Sequence, residues 1–195
     1  EIIFTSADIE LNSDVNSGSS NIRLLSSSGS DMYIGANPSG YNLSDAEMFK
    51  LLTTNLYIGD DSVGDIYVDG ITGANNSNVL GLTTFTASKD KKKISFIGTD
   101  STFGGLAANS DDGILVDVNL NALSLGMTMN GDLDQDDDTD DSITISSNKT
   151  LSSLKNITLR SSGGGIEAGD DVSILANDGL TLASSLNSSK TLTLN

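Results

Sequence analysis

Ile143-Thr-Ile145, Ile157-Thr-Leu159, Val172-Ser-Ile174, Leu180-Thr-Leu182 and Leu192-Thr-Leu194 repeat one phrase: apolar, small polar, apolar, then a corner rich in Gly, Asn, Asp or Ser. Alternation at period two puts both apolar side chains on one face of an extended strand, whereas a helix would scatter them. The phrase runs back to the start of the chain as Asp8-Ile-Glu-Leu11, Asn21-Ile-Arg-Leu24, Leu56-Tyr-Ile58, Asp65-Ile-Tyr-Val68, Ile94-Ser-Phe96, Ile114-Leu-Val-Asp-Val118 and Leu123-Ser-Leu125. Strands this short, separated by turn residues at intervals of roughly ten to twenty positions, suit a chain that coils and stacks each coil on the one before. The expected fold is all-β, a parallel β-helix (β-solenoid). Residues 1–195 form a single β-solenoid domain, read as a segment or repeat unit of a longer chain or fibre. With about 20–25 residues per coil and about 4.8 Å between coils, the chain would make about eight to ten coils and a rod about 40–50 Å long.

The same alternation names a core. Ile9, Leu11, Ile22, Leu24, Ile58, Ile66, Val68, Ile143, Ile145, Ile157, Leu159, Ile174, Leu180, Leu182 and Leu192 are expected to point inward and stack on like residues in neighbouring coils. The run from Val79 to Ala87 alternates at Leu80, Leu82 and Thr84. Neither terminus offers a cap, and a last coil ending in Thr191-Leu-Thr-Leu194 would leave a strand edge and an apolar cross-section open. The expected partners are therefore other copies or adjacent modules, joined by end-to-end stacking.

Composition narrows the function. Hydrophobic residues make up 36% of the chain and aromatic ones 5%, with no Trp, so the core must be thin layers of Ile, Leu and Val. A net charge of −17 argues against nucleic acid and anionic membrane as partners, because binding a polyanion takes Lys and Arg that displace counterions. The one basic run, Lys89-Asp-Lys-Lys-Lys93, reads as a solvated turn. There is no Cys, so disulfides do not hold the fold. The absence of His removes the usual general base and the Ser-His and Cys-His forms of nucleophilic catalysis. No apolar run has the length of a membrane-spanning helix, and no direct membrane insertion is expected.

Between Met32 and Leu52 the strand rhythm breaks. Asn37-Pro-Ser-Gly40 reads as a turn, and Ser44-Asp-Ala-Glu47 before Met48-Phe-Lys-Leu-Leu52 has the spacing of a capping box. One short helical insertion is expected near residues 44–52, about two turns long, with Met48, Leu51 and Leu52 on its apolar side.

The candidate metal site is acidic. Asp132, Asp134, Asp136, Asp138 and Asp140 alternate through Asp132-Leu-Asp-Gln-Asp-Asp-Asp-Thr-Asp-Asp141 and could gather oxygens around calcium, the one candidate cofactor. The loop is no EF-hand, since Asp137 and Ile143 stand where that motif needs Gly and Glu. A solvated acidic loop is the competing reading. Thr-rich rungs such as Leu180-Thr-Leu182 are too irregular along the chain for an ordered hydroxyl array.

Leu43-Ser-Asp-Ala-Glu-Met-Phe-Lys-Leu-Leu-Thr-Thr-Asn-Leu-Tyr-Ile-Gly59, followed by Gly64-Asp-Ile-Tyr-Val68, resembles the recurring module of filamentous-haemagglutinin-like giant surface proteins and adhesins, of the two-partner secretion or autotransporter type. Ala107-Ala-Asn-Ser-Asp-Asp-Gly-Ile114, Leu123-Ser-Leu125, the acidic loop, Ser142-Ile-Thr-Ile145 and Leu180-Thr-Leu182 are similar to the repeats of the same family. The resemblance implies a right-handed parallel β-helix, secretion to the outside or the cell surface of a diderm bacterium, and a structural role in a fibre or giant adhesin. It also implies adhesion to a host or neighbouring-cell surface. No catalysis is expected. The alternative is a carbohydrate-active β-helix enzyme or tailspike-like depolymerase, which would need converging carboxylates in a groove.

Overall fold

The computed structural model describes residues 1–36, 40–136, 140–188 and 190–195; the expected turn at Asn37 to Ser39 lies outside them, as does Asp138. Eight strands, Ile2–Ser6, Ile22–Ser26, Leu56–Ile58, Thr83–Ala87, Leu106–Ser110, Met127–Asn130, Asn156–Arg160 and Gly179–Leu182, lie side by side in chain order in a first sheet. Every pairing in it is parallel. A second sheet, also of eight strands, stacks Tyr41–Leu43, Met32–Gly35, Ile66–Asp69, Ile94–Phe96, Ile114–Val116, Ser142–Ile145, Gly165–Ala168 and Leu186–Ser188. A third, of five, holds Ser101–Phe103, Leu120–Ala122, Thr150–Ser153, Val172–Ala176 and Leu192–Leu194. In the earlier coils its place in the chain order is taken by the pair Val15–Asn16 with Leu51–Leu52 and by a bridge from Thr53 to Val79. The chain visits the three sides in rotation, which is a parallel β-solenoid. Eight stacked strands at about 4.8 Å give a rod about 35 Å long.

Parallel pairing in register makes each inward residue meet its counterpart one coil away. Ile22 pairs with Leu56, Leu106 with Met127, Met127 with Ile157 and Ile143 with Ile166. Within one coil, Phe85 of the first sheet meets Phe96 of the second and Phe103 of the third edge-to-face, at 6.0 and 5.8 Å between centroids. The three rings close the cross-section of the core where one coil turns through all three sheets.

Ile22, Leu24, Ile58, Ile66, Val68, Ile143, Ile145, Ile157, Leu159 and Ile174 are buried as their alternation requires, and so is Leu11. Leu180, Leu182 and Leu192, in the last coil, are partly buried against the core. Four expectations are corrected, the last of them at Asp8 to Leu11, described below. Leu80 and Leu82 are exposed, because the strand Thr83–Ala87 runs in the opposite phase and buries Thr83, Phe85 and Ala87. Leu123 and Leu125 are exposed at a corner, not inside a strand. The helix is one turn, Asp45–Met48, and Leu51–Leu52 belongs to a strand; of the three residues assigned to its apolar side, Met48 alone lies on the helix, fully buried.

The insertion that carries the helix also supplies a strand. Tyr41 and Leu43 are fully buried and pair with Met32 and Ile34 at the end of the second sheet. Asp8 to Leu11 therefore forms no strand, and Ile9 is partly buried against the core. It is tied to the insertion by side chains instead: Asp8 accepts from the Asn42 N–H at 2.9 Å, and Glu47 Oε1 accepts from the Leu11 N–H at 2.7 Å. Ser44 caps the helix by accepting from the Glu47 N–H, and Glu47 Oε2 returns the bond to the Ser44 N–H at 2.9 Å, as the spacing predicts. Partial burial, the largest influence on Glu47, pushes its carboxyl up. Bonds from the Ser44 hydroxyl and from the Leu11 and Ser44 N–H groups, with Lys50 nearby, outweigh it and hold the carboxyl below the ordinary glutamate range.

The Asn- and Asp-rich corners have a structural use. A coil that turns a corner leaves backbone N–H groups without a ladder partner, and a short side chain from the adjacent coil accepts from them. Asp31 accepts from the Asp65 N–H, Asp65 from Lys93, Asp69 from Thr99, Asp100 from Asn119, Asn119 from Thr150 and Asn55 from Leu82. Much of the acidic and amide composition is thus spent on bonds between coils.

Candidate functional site

The corner between the first and second sheets gathers the acidic residues. It is built on the strands that flank it: Leu106–Ser110 and Ile114–Val116 bracket Asp111 and Asp112, while Met127–Asn130 and Ser142–Ile145 bracket the acidic loop. Gly113 has φ +95°, and a Cβ there would overlap the Asp140 carbonyl, so glycine is needed to let the loop close over the coil below.

Of the five aspartates singled out by alternation, the four that the structure describes have different environments. Asp132 is fully buried; its Oδ1 accepts from the Gln135 N–H and its Oδ2 from the Gly163 N–H, each at 2.7 Å. It shapes the loop and ties it to the next coil. Asp134 is exposed and accepts from the Asp136 N–H at 3.1 Å, a local turn; Asp136 is exposed beside it. Asp138 lies outside the described residues. Asp140 is paired with Lys93 at 2.9 Å. Among the described residues, no three acidic side chains stand together in a group able to hold a metal ion.

Lys93 is the residue that sequence reading passed over. Its ammonium lies 2.9 Å from Asp140 and 3.6 Å from Asp112, joining three coils, and the hydrogen bond to Asp140 holds its pKa above the ordinary lysine value. Lys93 and Asp140 are 47 residues apart, a spacing that carries no signal until the register of the coils is known. Asp141 is also buried; its carbonyl accepts from the Ser161 hydroxyl, and its side chain lies where a Cβ on Gly163 would go.

Two shallow grooves run along the second sheet. One of about 210 Å³ is lined by Lys93, Asp112, Asp140 and Thr144. Its two carboxylates do converge, and the point of convergence is the Lys93 ammonium. The other, about 640 Å³, is lined by Thr144, Ser146, Glu167 and Asn187. There Glu167 accepts from Asn187 at 2.8 Å. The outward column of the first sheet reads Tyr57, Thr84, Ala107, Thr128, Thr158, Thr181, a hydroxyl series interrupted by alanine. No helix among the described residues is long and apolar enough to cross a membrane.

Comparison with protein-family models, with curated proteins and with solved structures finds no match to this chain.

Proposed function

We propose that this chain is a structural rod of a bacterial surface fibre or giant adhesin, placed outside or on the surface of a diderm cell, and working in adhesion, matrix or filament formation without catalysis. One observation carries the reading: the apolar core runs coil to coil through in-register parallel sheets, which is the build of a rod. Ile2 and Phe4 at one end, and Leu180, Leu182, Leu186 and Leu192 at the other, are partly buried against the core, and Leu194 is exposed. A further coil, from the same polypeptide or another copy, would cover these residues and pair the free strand edges. The resemblance of residues 43–68 to filamentous-haemagglutinin-like modules supports the extracellular setting and a host or neighbouring-cell surface as the adhesive partner. Calcium is proposed as the cation of the acidic loop, drawn to the exposed carboxylates of Asp134 and Asp136.

Electron microscopy of the purified chain and of a variant lacking residues 191–195 tests the stacking. The expected result is continuous fibres from the intact chain and short rods with unchanged circular dichroism from the truncated one. Short isolated rods from both would remove the support for end-to-end stacking.

A further inference from the structure

We propose that the corner between the third and first sheets is a lateral self-association face, on which a second copy of this chain docks antiparallel. Each copy would seat Leu80 in a groove beside Leu123 and Leu154 of the other. The reading does not rest on the fibre proposal, since it concerns the side of the rod and not its ends.

Leu80, Leu82, Leu123 and Leu125, which alternation assigned to rungs, form this face together with Leu154. Leu80 is 75% exposed, Leu154 58% and Leu123 49%, with Leu82 and Leu125 also exposed. Backbone bonds fix their order along the rod: the Leu80 N–H donates to Thr53, the Ser124 and Leu125 N–H groups to Gly104, and the Leu154 N–H to Ala122. Gly104 and Gly105 thus form a level without side chains between the Leu80–Leu82 level and the Leu123–Leu125 level. Leu82 and Leu125 converge over Gly105, where an added Cβ would lie 2.9 and 2.6 Å from them. Beside Leu123 and Leu154 a groove of about 230 Å³ opens toward Leu175 and Ala176.

Knob, notch and groove are arranged so that the surface complements itself. A two-fold axis through Gly104, perpendicular to the rod, exchanges the levels on either side of it. It brings Leu80 of one copy to the Leu123–Leu154 groove of the other, an isologous contact that closes as a dimer.

Charge selects the same corner and the same occupant. The chain carries a net charge of −17, so two copies repel over most of their surface. Residues 53–55, 80–82, 104–105, 123–126, 154–155 and 177–178, which form this corner, hold one cation and one anion, Lys155 and Asp178. These neutralise each other at 3.0 Å. A second copy of this anionic chain therefore meets little repulsion where the apolar ridge stands. Five leucines make a patch below the about 800 Å² per partner of a tight complex, so the dimer is weak and concentration-dependent.

Sedimentation velocity on the 195-residue chain over a concentration series up to about 1 mM, the weak end for a contact of this size, tests the proposal. The expected result is a reversible dimer that Leu80→Ser weakens at least about tenfold, the scale of withdrawing two leucine side chains from an apolar contact. The melting temperature should not move, because Leu80 is exposed. The chain has no cysteine, and a Cβ at Gly104 meets nothing closer than 3.6 Å, so Gly104→Cys places a single thiol on the axis. Mild oxidation should give a disulfide-linked dimer, and Leu80→Ser in the same chain should suppress it. A monomer throughout the series with no disulfide would overturn the proposal. So would a dimer that survives Leu80→Ser and disappears on removal of residues 191–195, which would assign association to the ends.

Discussion

Two coils are longer than their neighbours. Asn21 and Asn55 bond across 34 residues and Asp132 and Gly163 across 31, whereas Asp100 and Asn119 bond across 19. The first insertion is absorbed into the stack: Tyr41 and Leu43 add a strand to the second sheet, Met48 is buried beneath a capped turn, and Glu47 binds the first coil. In the second, Asp132 is held at the base, while Leu133, Asp134, Gln135 and Asp136 face solvent outside the stack. The difference lies in what each carries. Tyr41-Asn-Leu43 has the period-two phrase and can fill a slot in a sheet; the second insertion has no such apolar pair to bury, and Asp134 and Asp136 keep their charges in water.

The comparison is tested most strongly at the rung that follows the second insertion. Ile145→Asp puts an unpaired carboxylate into a fully packed layer and should destabilise the fold by about 3–5 kcal/mol, read from the denaturant midpoint. A midpoint equal to the wild type would mean that this rung is not core. In the first insertion, Leu43→Ala should cost about 2–5 kcal/mol, the range for a buried leucine. A loss under about 0.5 kcal/mol would place that insertion, like the second, outside the cooperative unit.

Glu47 gives the next effect. Glu47→Ala removes the cap's return bond and the tie to Leu11 and should cost about 1–2 kcal/mol. Because the folded carboxyl titrates lower than an unfolded one, its contribution is complete above the ordinary glutamate range and fades as pH falls through the lowered folded value. The gap between wild type and variant should therefore narrow in acid, and a gap that widens there would contradict the assignment.

The smallest effect is expected at the exposed loop. Asp134→Asn with Asp136→Asn should leave stability within about 0.5 kcal/mol in chelator. If the loop binds calcium, millimolar calcium should raise the melting temperature of the wild type and not of the double variant. Equal melting curves with and without calcium would leave the loop a solvated turn.

The stacked strands were legible because a two-residue period survives in rungs as short as Ile143-Thr-Ile145. The capping box was legible because Ser44 and Glu47 lie within one turn. The phase of Leu80 and Leu82 was not, since a corner leucine beside a strand continues its alternation by accident, and only pairing with Leu106–Ser110 shows that Thr83 and Phe85 are inside. The buried role of Asp132 was hidden for a related reason. It differs from Asp134 in nothing but the coil it touches, as Lys93 differs from its neighbours in meeting Asp140 two coils away.

The clamp between Glu47 and the first coil has a mechanical consequence. Hydrogen bonds between coils run along the rod axis, so tension drawing Glu1 away from the stack peels the first coil one bond at a time, a low-force route. Asp8 to Leu11 is fastened by Asn42, Glu47 and Lys50 through bonds that lie off that ladder. Peeling must stop there until several bonds yield together, so the inserted segment acts as a rip-stop near that end of the rod.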